Sequence, residues 1–213
     1  MHGLPVAFMV SLLLGMRHAT DADHVVAVTT IVNRERTAWQ SGRIGVMWGL
    51  GHTLTIFIVG GAIILFKLAF TARLGLSMEF CVALMLMVLG VLNITRNSTS
   101  ITASQQLRPF IVGAVHGMAG SAAATLLILP LIDDTRWALL YLGVFGAGTI
   151  AGMAMVTTAI AAPAVYAGDR LAGLQRGIRL ASGVVSLGFG AYLGYRIGFI
   201  DGLFTGQPSW TPL

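Results

Sequence analysis

Charged residues are scarce in this chain of 213 residues. Asp, Glu, Lys and Arg make up 10% of the sequence and hydrophobic residues 56%, and the mean hydropathy is +0.83. Soluble domains carry about 25% charged residues. The composition therefore excludes an ordinary soluble domain. It predicts an all-α polytopic membrane protein that forms one transmembrane domain over residues 1–213.

Cysteine is almost absent, and the basic residues are not concentrated in any one segment. The lone Cys81 excludes an internal disulfide, and its apolar surroundings are typical of a packing residue. The net charge is +5, but the basic residues are scattered between apolar segments. They predict membrane topology rather than a phosphate-binding face. We therefore expect the lipid bilayer, and no nucleic acid, as a partner.

Six apolar segments approach or exceed the length of about 20 residues that a transmembrane helix needs. The first is interrupted by a group of polar residues, and the longest polar connection, 95–108, falls near the middle of the chain. The predicted spans are residues 4–32, 44–68, 76–94, 110–132, 137–164 and 178–200.

The distribution of positive charge predicts the orientation of these spans. Cytoplasmic loops carry an excess of Lys and Arg, so the odd-numbered loops are expected in the cytoplasm. Both termini are then expected outside the inner (plasma) membrane. The first, third and fifth loops hold Arg34, Arg36, Arg43, Arg96, Arg108, Arg170, Arg176 and Arg179, whereas the opposite side holds Lys67, Arg73, Arg136 and Arg196.

The two halves of the chain resemble each other. Small and polar residues recur at offsets of 97 to 100, matching 15–18 with 113–116, 49–52 with 146–149, and 90–96 with 190–196. A three-helix unit repeated once has opposite orientations in the membrane, which is the plan of many secondary transporters. We predict a 3+3 inverted repeat with repeat one at 1–97, a linker at 98–108, repeat two at 109–200 and a tail at 201–213.

The densest polar group in the sequence is His18, Asp21, Asp23 and His24, inside the first span. Ionisable groups at membrane depth cost about 2.5–3.5 kcal/mol each and indicate function. Imidazole and carboxylate together suit a divalent transition metal. On a regular helix, His18 and Asp21 lie about 60° apart, whereas Asp23 and His24 point in clearly different directions from His18. Either the helix is distorted here, or some of these residues only orient the ligands.

A short polar loop between two apolar segments is the alternative for this group. It is disfavoured because each flanking segment is too short to span a membrane alone. The first helix is therefore expected to span with a distortion at the His/Asp cluster, which is a recognised device in transporters.

Three further histidines could take part in the same site. Gly51 allows another helix to approach closely beside His52. His52 is therefore either a residue of the metal site or a hydrogen-bonding residue between helices, and we favour the metal site. His116 is open between a site role and packing. Met1 and His2 could offer amine, amide and imidazole nitrogens, a set that nickel(II) and copper(II) favour, although an N-terminal histidine is more often incidental. The ten methionines form no cluster that would indicate copper(I).

At this point a family resemblance is apparent. Arg17-His18-x-x-Asp21-Ala22-Asp23-His24 resembles the His-x4-Asp-His signature of the nickel/cobalt transporter family, and Leu50-Gly51-His52-Thr53 resembles its second signature. The segments 115–123 and 148–153 resemble a compact branch of urease accessory membrane proteins. Together the matches cover all but the polar loop and the tail. The first signature is specific, whereas the second alone would be weak.

The resemblance implies uptake of Ni²⁺ or Co²⁺ as transported substrate, with no cofactor and with a functional link to a nickel enzyme such as urease. The larger members have eight helices and carry the signature on the second, whereas here it lies on the first of six. The chain lacks the His-rich loop of related nickel exporters, which favours import. The resemblance implies metal ligands at His18, Asp21, Asp23, His24 and His52. The N-terminal nitrogens add His2 and Met1 to the predicted ligands, and packing or orienting roles are predicted for His116, Gly51, Thr53 and Arg17.

Other functions compete with uptake as interpretations of this sequence. A nickel or cobalt exporter, or an assembly factor for urease maturation without transport, is the serious rival. An intramembrane serine protease built on Ser121 is remote, because a serine nucleophile needs a positioned general base and no histidine follows His116. We therefore expect no enzymatic activity.

Overall fold

Seven α-helices and one π-helical turn make up the regular structure in the part of the chain that the computed structural model describes, residues 4–32, 37–67, 71–95, 103–128, 134–167 and 172–210. The helices run in the order α1 Leu4–His18, α2 Ala22–Val32, α3 Ala38–Phe66, α4 Ala72–Thr95, α5 Ala103–Ile128, α6 Thr135–Ala167 and α7 Ala172–Tyr195, followed by the π-helical turn Arg196–Ile200.

Polar caps explain where three of the helices begin. The Thr37 hydroxyl accepts a hydrogen bond from the Gln40 amide (3.2 Å) at the start of α3. The Thr71 hydroxyl accepts a hydrogen bond from the Leu74 amide at the start of α4. The Asp134 carboxylate accepts one from the Arg136 amide (2.8 Å) at the start of α6. Side-chain oxygens of this kind satisfy amides that have no partner within the helix. The caps place each helix start upstream of the apolar run that follows it.

At the His/Asp cluster the chain breaks completely between α1 and α2, so the structure has the short polar turn between two apolar segments that span length disfavoured, and not one distorted helix. Residues 19–21 form a tight turn, in which the Thr20 amide donates to the Arg17 carbonyl (2.8 Å) and the Asp21 amide to the His18 carbonyl (3.1 Å). The helix resumes when the Val25 amide donates to the Asp21 carbonyl (3.0 Å). The break changes the direction in which side chains on its two sides can point.

Four of the six predicted spans correspond to helices that are long and apolar enough to cross a membrane. These are Ala38–Phe66, Ala72–Thr95, Thr135–Pro163 and Arg176–Ile200. The first predicted span is divided between two shorter apolar helices, Val6–His18 and Ala22–Val32, and the fourth corresponds to α5. An arrangement of six spans as a 3+3 repeat stays a prediction.

Among the described residues, the distribution of polar and apolar side chains is the reverse of that in a soluble protein. Large apolar side chains such as Leu54, Phe57 and Ile58 are exposed, whereas His24, His52 and other polar groups are buried. Extensive exposed apolar surface marks a surface that meets something other than water. The length of the helices and this distribution are those of a membrane protein.

Glycines allow the helices to pack in direct backbone contact. α3 packs against α5 and α6, α4 against α7, and α1 against α6. A Cβ atom added at Gly51 would meet the backbone of Phe110, and one added at Gly113 would meet the backbone of Trp48. Such small residues are typical of tightly packed membrane helices. The close α3–α5 contact brings side chains from the two halves of the chain together.

Candidate metal centre

Three structural segments meet at the candidate site: the break between α1 and α2, the middle of α3 and the middle of α5. His18 ends α1, Asp23 and His24 lie in the first turn of α2, His52 lies on α3 and His116 on α5. The side chains of His24, His52 and His116 are almost fully buried. The structure therefore collects four of the five histidines of the chain into one interior cluster.

One half of the cluster is built around His18. Its Nδ1 atom lies 2.9 Å from the Asp21 carboxylate, and its Nε2 atom lies 3.1 Å from Nε2 of His52. A carboxylate that accepts the Nδ1–H of a histidine fixes the tautomer and leaves the Nε2 lone pair available to a metal ion. Asp21, with 42% of its side chain exposed, thus lies where it can orient His18.

The other half is built around Asp23. Its carboxylate lies 2.8 Å from Nε2 of His116 and 3.1 Å from Nδ1 of His24. It also accepts a hydrogen bond from the His24 amide (2.9 Å), which holds it at the start of α2. Asp23 thus links α2 to α5.

These contacts define two overlapping sets of three side chains that could each hold a metal ion. One set is His18, His24 and His52, and the other is Asp23, His24 and His116; within each set, one ligand atom per residue lies within 4.8 Å of the others. Bonds from imidazole or carboxylate to a divalent metal are about 2.0–2.2 Å long, so these separations are close to those around a single ion. His24 belongs to both sets.

Several buried ring nitrogens of the cluster have no hydrogen-bond partner among the described residues. They are His24 Nε2, His52 Nδ1 and His116 Nδ1. Buried polar atoms in proteins are nearly always paired, because an unpaired one costs the free energy of its lost hydration. In His24 and His116 the other ring nitrogen contacts Asp23, so the unpaired nitrogen of each could bind a metal ion, and the donor set fits a transition-metal cation.

Aromatic packing restrains the cluster from one side. The Trp48 ring stacks on His24 with centroids 5.6 Å apart and also contacts the His116 ring at 6.0 Å. The His24 and His116 rings themselves lie 4.1 Å apart. Packing of this kind limits the rotamers of ligands and keeps them in place when no ion is bound.

The remaining residues singled out from the sequence lie around the cluster or outside the described part. Gly51 lets α3 approach α5, and the Thr53 hydroxyl donates to the Gly146 carbonyl of α6 (3.1 Å). Arg17 is exposed, and its carbonyl accepts from Thr20. Met1 and His2 lie outside the described residues, so their role as ligands stays a prediction. The helix α5 includes Ser121, whose side chain also lies outside them.

The sequence did not indicate that residues of α4 and α7 lie beside the cluster. A cavity of about 300 Å³ adjoins the cluster and is lined by His24, His116, Glu79, Tyr192 and Arg196 among others. Glu79 was detectable as a carboxylate inside an apolar span. Its proximity to the cluster depends on the packing of α4 against α2, which no local pattern encodes.

Fold and site together define a class: a helical protein with membrane-spanning character and a buried His/Asp cluster suited to a transition metal. Comparison with known proteins then identifies the family. The chain is 33% identical over 210 residues to urease accessory protein UreH of Bacillus sp. (strain TB-90), covering 90% of this chain and 92% of that protein. The chain therefore belongs to the family of this urease accessory protein, in agreement with the resemblance found in the sequence.

Other comparisons give no match. No protein-family model matches the chain. No solved structure matches it either.

Proposed function

We propose that this chain is a secondary transporter in the plasma membrane that takes up Ni²⁺, or Co²⁺, and supplies it for the maturation of a nickel enzyme such as urease. The observation that carries the proposal is the buried cluster of four histidines and Asp23, with three ring nitrogens that lack partners among the described residues. Ionisable groups inside apolar helices are expensive and mark ion pathways.

The two ligand sets suggest how an ion is handled. Nitrogen and oxygen ligands replace the water shell of the ion, and they suit nickel and cobalt alike. Because His24 belongs to both sets, an ion can pass from His18 and His52 to Asp23 and His116 without ever leaving a protein ligand. The first set joins α1 and α2 to α3, and the second joins α2 to α5. A shift between helices would therefore favour one set over the other.

We further propose that six spans form two inverted three-helix repeats with both termini outside. Paired close approaches support this arrangement. Gly15 approaches Phe145 as Gly113 approaches Trp48, and these two contacts are related by the offsets of 98 and 97 seen in the sequence. Gly90 approaches Gly183, and Gly190 approaches Ala83, at an offset of 100. Rocking of one repeat against the other would give alternating access.

A role in urease maturation is supported by the name of the UreH relative. That name is equally compatible with an exporter or with an assembly factor that moves no ion. These functions differ in whether, and in which direction, the metal ion crosses the membrane. The test must therefore measure the direction of nickel movement.

The experiment is accumulation of radioactive nickel by cells that produce the chain, compared with cells that produce His24→Ala at equal membrane abundance. Uptake predicts accumulation that depends on His24 and is competed by cobalt if both ions share the site. Accumulation no greater than in cells without the protein would overturn transport, and depletion of nickel would indicate export. Urease activity in the same cells then reports whether the metal reaches an enzyme.

A further inference from the structure

Glu79 is a buried carboxylate that the proposed transport site does not include. It lies on α4, and only 7% of its surface is exposed. It lines the same cavity of about 300 Å³ as Asp23, His24 and His116. A water molecule occupies about 30 Å³ in the liquid, so this cavity is large enough for an ion that keeps part of its water shell.

The hydrogen bond of Glu79 comes from a neutral group. The Trp210 indole N–H donates to Oε1 of Glu79 at 2.8 Å. Arg196, the guanidinium that lines the cavity, forms its ion pair with Asp201 at 3.6 Å. Burying an ionised carboxylate is costly unless a positive charge accompanies it. The Trp210 indole does not compensate the charge of an ionised Glu79, so a cation in the cavity would stabilise that form.

The charge of the cavity also favours a cation. Its lining includes three carboxylates, those of Asp21, Asp23 and Glu79, but one guanidinium, that of Arg196. A cleft of one sign with apolar walls focuses the electric field and concentrates the opposite ion. The apolar walls here include Val82, Phe189 and Leu193.

The chain after α7 holds Glu79 in place. The segment from Asp201 to Trp210 folds back onto α4, where the Trp210 ring lies against Gly75, and a Cβ atom added at Gly75 would come within 2.6 Å of this ring. Gly75 and Glu79 lie four residues apart and so share one face of α4. Both Glu79, near the beginning of α4, and Arg196, after α7, lie at the outer end of the molecule in the proposed topology.

We propose that Glu79 is a capture ligand for the divalent cation, in a position separate from the His/Asp cluster and reached before it. This inference rests on the proposed uptake function. The cation binds first to the Glu79 carboxylate within the cavity and retains water, and it then moves to the imidazole ligands. Trp210 positions the carboxylate without neutralising it.

The test compares variants that separate charge from structure. Glu79→Gln keeps an oxygen that accepts the Trp210 hydrogen bond and removes only the charge. Trp210→Phe keeps an aromatic ring at this position and removes the indole N–H donor, together with part of the ring area against Gly75. Asp134→Asn is the matched control, since it removes a charge from an exposed carboxylate outside the cavity and asparagine still caps α6.

Nickel uptake is measured against external concentration, and nickel binding to the purified full chain is measured by calorimetry. Glu79→Gln is expected to raise the half-saturating concentration for uptake about tenfold, the lower range for loss of a supporting group around a metal. Glu79→Asp should restore part of this loss. Trp210→Phe, which removes the donor that positions the carboxylate but keeps its charge, should raise the half-saturating concentration less than Glu79→Gln does, and Asp134→Asn should stay close to the unmodified chain. Calorimetry should still detect the cluster in Glu79→Gln.

Two results would overturn the inference while leaving the proposed function intact. One is unchanged half-saturation in Glu79→Gln when the unmodified chain takes up nickel in a manner that depends on His24. The other is an equal loss in Trp210→Phe, which would make Glu79 an anchor for the last residues of the chain. Absence of nickel binding and uptake in the unmodified chain would instead contradict the proposed function itself.

Discussion

The carboxylate of Asp23 lies 2.8 Å from Nε2 of His116, although the two residues are 93 positions apart in the chain. This contact joins the beginning of α2 to the middle of α5, so one side of the candidate site comes from each half of the sequence. A ligand set completed by both halves responds to any relative movement of those halves.

The first prediction concerns His116 itself. Replacing His116 by alanine should weaken nickel binding by the purified chain at least tenfold, because it removes a ligand of the second set and leaves the partly buried Asp23 carboxylate without that partner. Calorimetry measures the change. Ser186→Ala is the control, since it also removes a buried polar group, whose hydroxyl donates to the Leu86 carbonyl (2.8 Å), but outside the cluster. Equal affinity in His116→Ala and Ser186→Ala would leave His116 as a packing residue.

The second prediction is an order of effects. His24 belongs to both ligand sets, whereas His52 and His116 belong to one each. His24→Ala should therefore abolish nickel accumulation, while His52→Ala retains measurable binding through Asp23, His24 and His116. Accumulation and calorimetry on the same variants check this order. A His52→Ala protein that binds no metal while His24→Ala still binds would contradict the shared role of His24.

These expectations show which parts of the site the sequence can predict. His18, Asp23 and His24 were identifiable from one short segment, and helical geometry indicated either a distortion there or a division of these residues into ligands and orienting groups. The partnership of His116 with Asp23 was not predictable, because it depends on how α5 packs against the first two helices. The sequence left His116 open between site and packing roles for that reason.

The helix boundaries were also predictable only in part. The apolar run placed the second span at 44–68, whereas α3 begins at Ala38. Its first turns contain polar residues such as Gln40 and Arg43, so hydropathy alone places the start of the helix too late. Thr37 was the available signal, since threonine three residues before a helical amide is a common cap. The place of Glu79 in the cavity could not be read in this way, because its partner Trp210 lies 131 residues further along.

The third prediction tests the orienting role of Asp21. Asp21→Asn keeps the shape of the side chain but weakens the hydrogen bond that fixes the His18 tautomer. Partners of this kind typically account for 10–100-fold in metal affinity, so nickel binding should fall by about that factor without being abolished. A series of binding isotherms for Asp21→Asn and Asp23→Asn separates the two carboxylates. Complete loss in Asp21→Asn would make Asp21 a ligand rather than an orienting group.

The last prediction concerns the glycines that bring α3 and α5 together. An alanine at Gly51 or Gly113 would place a Cβ atom against the backbone of the facing helix, at Phe110 or Trp48 respectively. Backbone cannot yield as a flexible side chain can, so the helices must separate, and overpacking of this kind costs about 1–3 kcal/mol.

Gly188→Ala is the matched control, since a Cβ atom there meets nothing within 4 Å and alanine favours helix over glycine by about 1 kcal/mol. Thermal unfolding in detergent should therefore show lower midpoints for Gly51→Ala and Gly113→Ala but not for Gly188→Ala. Nickel binding should weaken in the first two variants as well, because separation of α3 from α5 moves His52 away from His116. Midpoints that are the same in all three variants would mean that this close contact does not hold the site together.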